Sequence, residues 1–270
     1  SRIPYDQIDN MEVTPEEVDI LFREGEKLAP SLRHTRVLRA YAGVRPLVAS
    51  DDDPSGRNVS RGIVLLDHAE RDGLDGFITI TGGKLMTYRL MAELATNLVC
   101  KKLGVNEVCH TADVPLPGSR TTRQEEEAAP VPNNVYRAAE GRHGELTAKI
   151  ALNDDCDSSL VCECEDVSVG EVNYAMTELD VNDLVSLRRR TRVGMGTCQG
   201  ELCACRAAGL LGRAHDCTEK AKKNLVDFLN ERWKGMSPVA WGECLRESQF
   251  AAWIYGGICN LTTKKEEVKQ

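Results

Sequence analysis

The chain has 270 residues, 34 Lys+Arg against 42 Asp+Glu, and a formal charge of -8, with 41% hydrophobic and 28% charged residues. That balance builds an ordinary core, excludes wholesale disorder, and argues against a chain whose task is to grip nucleic acid phosphates. No run approaches the ~18 apolar residues a membrane span needs, and the start, SRIPYDQIDN, has no apolar signal core. The chain begins without Met, as a fragment would, and its 11 cysteines are too sparse for a disulfide framework. A reducing cytoplasm is the expected compartment.

Thr14-Pro15-Glu16-Glu17 combines an N-cap, a first-turn proline and an acidic third position, so a helix starts there. Val18, Leu21, Phe22 and Leu28 give it one buried stripe, ending near Ala29-Pro30. Residues 37–48 and 63–68 read as short strands around the acidic turn 51–56, and 77–81, rich in β-branched residues, as the best strand. A helix over 86–103 follows. The composition of 115–134, with its Glu and Pro runs, reads as a linker. From about residue 160 a short helical unit begins, and helices over 219–233 and 240–255 form a tail holding all three Trp. The aromatics there, Trp233, Trp241, Phe250, Trp253 and Tyr255, suit either a docking surface or internal packing.

The strongest chemical signal is Cys162-Glu163-Cys164 followed by Cys198-Gln199-Gly200-Glu201-Leu202-Cys203. Two close thiolate pairs can converge on one centre of zinc, copper(I) or iron–sulfur type. A single residue between Cys162 and Cys164 is tighter than zinc fingers use. Gly194, Gly196 and Gly200 free backbone N–H groups to approach sulfides, and a helix opening near Cys203 would aim its positive end at an anionic centre. Cys205 rivals Cys203 as the fourth ligand. The remaining cysteines, Cys100, Cys109, Cys156, Cys217, Cys244 and Cys259, read as buried thiols. Arg188-Arg189-Arg190-Thr191-Arg192 could offset a cluster's charge or simply end a helix.

This pattern, Cys162-x-Cys164 with Gly-Met-Gly-Thr-Cys198-Gln-Gly-x-x-Cys203, resembles the [2Fe-2S] domain of the bacterioferritin-associated ferredoxin family, over about residues 160–214. The spacing of the second pair resembles the version fused to flavin dehydrogenases and oxidases. Gly82-Gly83-Lys84-Leu85-Met86-Thr87, with Gly43-Val44-Arg45-Pro46 and Val59-Ser60-Arg61, is similar to the carboxyl-terminal part of the FAD-dependent glycerol-3-phosphate dehydrogenases, in their anaerobic branch.

The resemblance implies an α+β chain: residues 1–114 as the carboxyl-terminal part of an FAD/substrate domain, 115–159 a linker and connecting segment, 160–214 a small helical [2Fe-2S] domain, and 215–270 a helical tail suited to partner docking. It implies oxidation of sn-glycerol 3-phosphate to dihydroxyacetone phosphate, with electrons passing through partner subunits to quinone at the inner face of the cell membrane. Membrane attachment would be peripheral, and no nucleic acid is involved. Residue by residue, Arg45, Arg61 and Lys84 match substrate-binding positions, Gly82, Gly83, Lys84, Leu85, Met86 and Thr87 the flavin-facing turn, and Cys162, Cys164, Cys198 and Cys203 the cluster ligands. Met86 stands where many relatives have Thr. No catalytic residue is assigned. The dinucleotide fingerprint G-x-G-x-x-G is not in the sequence, so the isolated chain is expected to be inactive. Two other readings share these residues: part of an amino-acid or opine oxidase, and a metal-binding assembly module that moves no electrons.

Overall fold

The computed structural model describes residues 8, 11–44, 62–116, 133–150 and 155–261. These fall in two compact units. Residues 62–116 belong to the first. Strand β1 (Ile63–Asp67) pairs antiparallel with β2 (Ile78–Gly82) in the register Ile63↔Gly82 to Asp67↔Ile78. They are joined through the short helix α2 (His68–Asp72), capped by the Asp67 carboxylate. His68 bonds Asp72 and the Thr79 hydroxyl, a structural role. A turn at 85–87 leads into α3 (Tyr88–Leu103), which Lys102 ties to Asp67 at 2.9 Å. Among residues 62–116 no side chain is buried. Leu85 and Met86 are each 90% exposed.

The second unit joins residues 11–42 to everything described from 133 onward. Helix α1 (Pro15–Glu26) carries the expected capping box, Glu17 N–H to the Thr14 hydroxyl and Thr14 N–H to the Glu17 carboxylate, both 3.3 Å. Its buried stripe is narrower than the spacing predicts: Val18 is buried and Phe22 partly so, but Leu21 and Leu28 are exposed. The expected strand over 37–48 is not formed in its described part, 37–44. Residues 37–40 instead lie along the tail, with Ala40 N–H donating to Gly235 O at 2.8 Å. Val13, Val18, Phe22 and Val37 pack with Met236, Val239 and Cys244.

Helix α4 (Asn133–His143), inside the stretch read as connecting, buries Val135 and Ala139. After α5 (Asp155–Ser158) comes a minimal sheet of β3 (Leu160–Cys162) and β4 (Val167–Ser168), then α6 (Val169–Glu178), α7 (Leu184–Thr191), α8 (Cys203–Ala214) and α9 (Thr218–Met236). Helix α10 (Gly242–Ala252) ends in a π-helical turn, Trp253–Ile258. Val161, Val172, Leu184, Leu187, Leu211 and Phe228 make one core that extends to Tyr255. Burial of such a set drives the folding of this unit. Trp233, Trp241, Phe250 and Trp253 stay largely exposed while Tyr255 is buried. Among the described residues no helix is long and apolar enough to cross a membrane.

Candidate metal centre

Cys162 ends β3, and the chain turns back to β4 through 163–166, with Asp166 in the left-handed region at φ 49°. Cys164 lies in that turn. Cys198 and Cys203 come from the loop between α7 and α8, and Cys203 opens α8. Helix α7 starts on the Asp183 carboxylate, which accepts from Ser186 N–H at 2.8 Å. It stops at Arg192, φ 67°, where Thr191 turns its hydroxyl onto the Leu187 carbonyl at 2.9 Å. Gly194 at φ 75° and Gly200 at φ 87° then close the loop in backbone that favours glycine.

The four cysteines pair across the sequence motif, not within it. Cys164 Sγ lies 3.7 Å from Cys198 Sγ, while Cys162 and Cys203, each 1% exposed, act on one another as neighbours. Two thiolates on one tetrahedral metal, with bonds of about 2.3 Å, stand roughly 3.8 Å apart, so the first pair already has the spacing of two ligands on one ion. No group of three or more His, Cys, Asp or Glu suited to a single metal ion occurs among the described residues. Two pairs, one for each of two metals, are what a binuclear centre needs. Cys205 is exposed, whereas Cys203 faces Cys162.

The electrostatics divide the sulfurs, favouring the thiolate at Cys162 and opposing it at Cys198 and Cys203. The hydrogen bond from Cys203 outweighs burial and, with N–H groups of Gly194, Glu165 and Cys164, pushes the Cys162 thiol down to about 6. The same contact and burial push Cys203 up. Burial raises Cys198, against N–H groups of Gly200 and Glu201 aimed at its sulfur. The donor set and these inward N–H groups fit a cluster of two metals.

One side chain of the loop itself and several from distant elements take up the loop's carbonyls. Gln199 donates to Met195 O and Gly196 O, both at 2.9 Å; Arg36 to Thr197 O at 2.9 Å; Arg232 to Cys198 O at 3.2 Å. The Tyr255 hydroxyl reaches Gly200 O at 3.1 Å and Glu201 O at 2.5 Å. Across the site, Arg142 donates to Glu165 O at 3.0 Å and Asp166 O at 3.3 Å. Arg36, Arg142 and Arg232 carry no local motif, and sequence reasoning missed them; Tyr255 enters it only as a tail aromatic suited to docking or packing. Of the Arg188–Arg192 run, Arg192 spends its charge on Glu165 at 2.6 Å, and Arg188 is buried in the helix end. Glu201, buried beside Glu247, is raised to about 7, burial being the larger cause.

The other expected residues lie elsewhere. Arg45 and Arg61 fall outside the described residues. Gly82 and Gly83, at φ 77° and 72°, lead from β2 into the turn where Lys84 N–H donates to the Thr87 hydroxyl at 2.9 Å, and Lys84, Leu85 and Met86 project from it. Of the six cysteines expected to be buried, only Cys244 is; Cys156, Cys217 and Cys259 are exposed, and Cys100 and Cys109 lie between.

Comparison with known proteins gives this geometry its context. Residues 160–213 match the family described as BFD-like [2Fe-2S] binding domain. Over 268 residues the chain is 67% identical to an anaerobic glycerol-3-phosphate dehydrogenase subunit of Haemophilus influenzae, covering 98% of this chain and 48% of that protein. Against the subunit of the same description from Escherichia coli K12 it is 62% identical over 98% of this chain and 50% of the relative. The corresponding Haloferax volcanii protein is 36% identical over 94% of this chain and 44% of its own length. The chain thus spans about half the length of these relatives. No solved structure matches it. Residues 160–213 therefore form a BFD-like [2Fe-2S] binding domain, and nearly the whole chain is homologous to half of these anaerobic glycerol-3-phosphate dehydrogenase subunits.

Proposed function

We propose that the chain is the electron-accepting half of a flavin-dependent dehydrogenase. In the complete protein, sn-glycerol 3-phosphate is oxidised to dihydroxyacetone phosphate at FAD, and the electrons leave through a [2Fe-2S] cluster held by Cys162, Cys164, Cys198 and Cys203, then partner subunits, to quinone. The crossed sulfur pairing, with Cys164 and Cys198 at 3.7 Å, carries this reading. A bound cluster supplies one-electron transfer. Cys162 and Cys203 are buried while Cys164 is exposed, so one edge of the centre faces outward, where a partner could take an electron. The exposed Trp233, Trp241, Phe250 and Trp253 offer rings for such a partner, which would also hold the protein at the inner face of the membrane.

The flavin side rests on the Gly82–Thr87 turn, whose bare backbone and projecting Lys84, Leu85 and Met86 suit a flat cofactor, and on Arg45 and Arg61 for the substrate phosphate. The uncovered apolar side chains of 62–116 are what a piece of a larger flavin domain presents. The deciding experiment uses the full-length protein purified without oxygen. It should hold about two irons and two sulfides per chain, by the four-cysteine ligation rule, and glycerol 3-phosphate should bleach both flavin and cluster. Cys164→Ala should keep flavin bleaching and lose the cluster signal. Full iron and sulfide in Cys164→Ala or Cys198→Ala would overturn the ligand set.

A further inference from the structure

Arginines surround the candidate centre, and nearly every one has a carboxylate of its own. Arg192 pairs with Glu165 and Arg142 with Glu171, both at 2.6 Å, Arg206 pairs with Glu163, and Arg36 meets Glu243 at 3.5 Å and Glu247 at 3.3 Å. Arg232 of α9 differs. It is 5% exposed, its Nε has no hydrogen-bond partner, and it makes no ion pair among the described residues. Its Nη2 donates to the carbonyl oxygen of Cys198 at 3.2 Å. On the other side it lines a groove of about 410 Å³ whose walls include Leu229, Trp233, Leu245, Ala252 and Tyr255. The carboxylates whose fields reach it, Glu201 and Glu247, form no ion pair with it, and Glu247 is paired with Arg36 at 3.3 Å.

A desolvated cation without an ion pair is costly, and folded proteins keep one chiefly where an opposite charge belongs. The four thiolates bring that charge. Together with two sulfides they outweigh two ferric ions, so the centre is anionic when oxidised and gains one further negative charge on reduction. A fixed cation behind Cys198, with low-dielectric walls on its far side, favours the more negative state.

We propose that Arg232, outside the matched 160–213 segment, is the counter-charge of the cluster: a positioning residue that anchors the Cys198 carbonyl and raises the cluster's midpoint potential. The proposal rests on the [2Fe-2S] reading above and extends it to a residue of the tail. Its sign follows from charge alone, because removing the cation makes the added electron harder to hold.

The test is a redox titration of the whole chain, reconstituted anaerobically with ferrous iron and sulfide, with both assayed in the same samples. Arg232→Gln is expected to keep wild-type iron and sulfide and the wild-type electron paramagnetic resonance line positions. It should favour the oxidised form by about tenfold, a downward shift of about 59 mV for a one-electron couple. Arg232→Lys, which keeps the charge, should restore most of that shift. An unmoved potential in Arg232→Gln overturns the proposal, and so does a Lys variant displaced as far as the Gln variant, which would mark the residue as packing only. If Arg232→Gln fails to assemble a cluster, Arg232→Met decides: its side chain is uncharged at every pH and fills similar space, so a downward offset from wild type supports the proposal and no offset overturns it. Wild-type chain that takes up no iron or sulfide would fail the [2Fe-2S] reading and the proposal together, whereas a full cluster with an unmoved potential fails the proposal alone.

Discussion

A single methyl group is enough to disturb the loop around Cys198. A Cβ at Gly196 would stand 2.4 Å from the Cys164 Cβ, and one at Gly194 or Gly200 would stand 2.6 or 2.5 Å from the Phe228 ring. The sequence suggests one task for these glycines, exposing N–H groups to sulfur; the structure adds a second, making room for Cys164 and for a core phenylalanine. Gly196→Ala should therefore displace Cys164 from Cys198, lower iron and sulfide content severalfold, and cost about 1–3 kcal/mol, read by metal assay and denaturant titration. Asp183 sets the loop from further away. Burial opposes its charge, but hydrogen bonds from Ser186 and Val185 and the field of Arg189 outweigh it and hold its carboxyl below the ordinary value. A carboxyl depressed in the folded state stabilises above its unfolded pKa and loses that contribution as pH falls through the folded one. Asp183→Ala should thus cost about 1 kcal/mol at neutral pH, with the difference from wild type shrinking below about pH 4 in parallel melts.

Helix α4 behaves as a strap on the centre. The Arg142 guanidinium forks onto Glu171 at 2.6 Å from both Nε and Nη2, His143 adds a contact at 2.9 Å, and the same guanidinium holds the Glu165 and Asp166 carbonyls beside Cys164. Glu171 is wholly buried, so Arg142→Gln leaves its charge with only the His143 contact and should destabilise by about 3–5 kcal/mol. Combining it with Glu171→Gln should recover part of that loss in the same urea titration, because no uncompensated carboxylate then remains. The caps, glycines and periodicity that reveal α1, α3, α8 and α9 act within a few residues and are legible in sequence. The strap is not. Arg142 and Glu171 are 29 positions apart, and neither residue's neighbours announce the other. The same limit explains 37–40, which has strand-forming residues but finds a tail helix to lie against, where no strand is offered.

At the scale of the whole molecule, burial is unevenly shared. The second unit encloses Val161, Leu187, Leu211 and Phe228, while residues 62–116 bury no side chain. Amide exchange should divide the chain accordingly: amides of α6, α8 and α9 protected to near the global stability, those of β1, β2 and α3 exchanging through local opening, as mass spectrometry of timed deuterium labelling would show. Equal protection in both would contradict the burial pattern. The cofactor class of residues 160–213 is readable, and the four cysteines stand out as candidates, because ligand chemistry is written in residue type and short spacing. Their crossed pairing is not, since which sulfur meets which depends on how the β3–β4 turn and the α7–α8 loop dock. Arg36, Arg232 and Tyr255 reach that loop from 34 to 161 positions away, separations at which sequence pattern carries no trace.

The joining of residues 11–42 to the tail also fixes an order of events during synthesis. The Cys244 thiol lies 3.8 Å from the Leu38 carbonyl across 206 positions, and Ala40 meets Gly235 at 2.8 Å. At ribosomal speeds of about 5–20 residues per second, α1 and the stretch behind it wait some ~10–40 s for the partners that cover Val18 and Phe22. Residues 62–116 emerge in the interval. The early segment is therefore translated well before its cover, and for that time its apolar side chains are open to chaperones or to a neighbouring nascent chain.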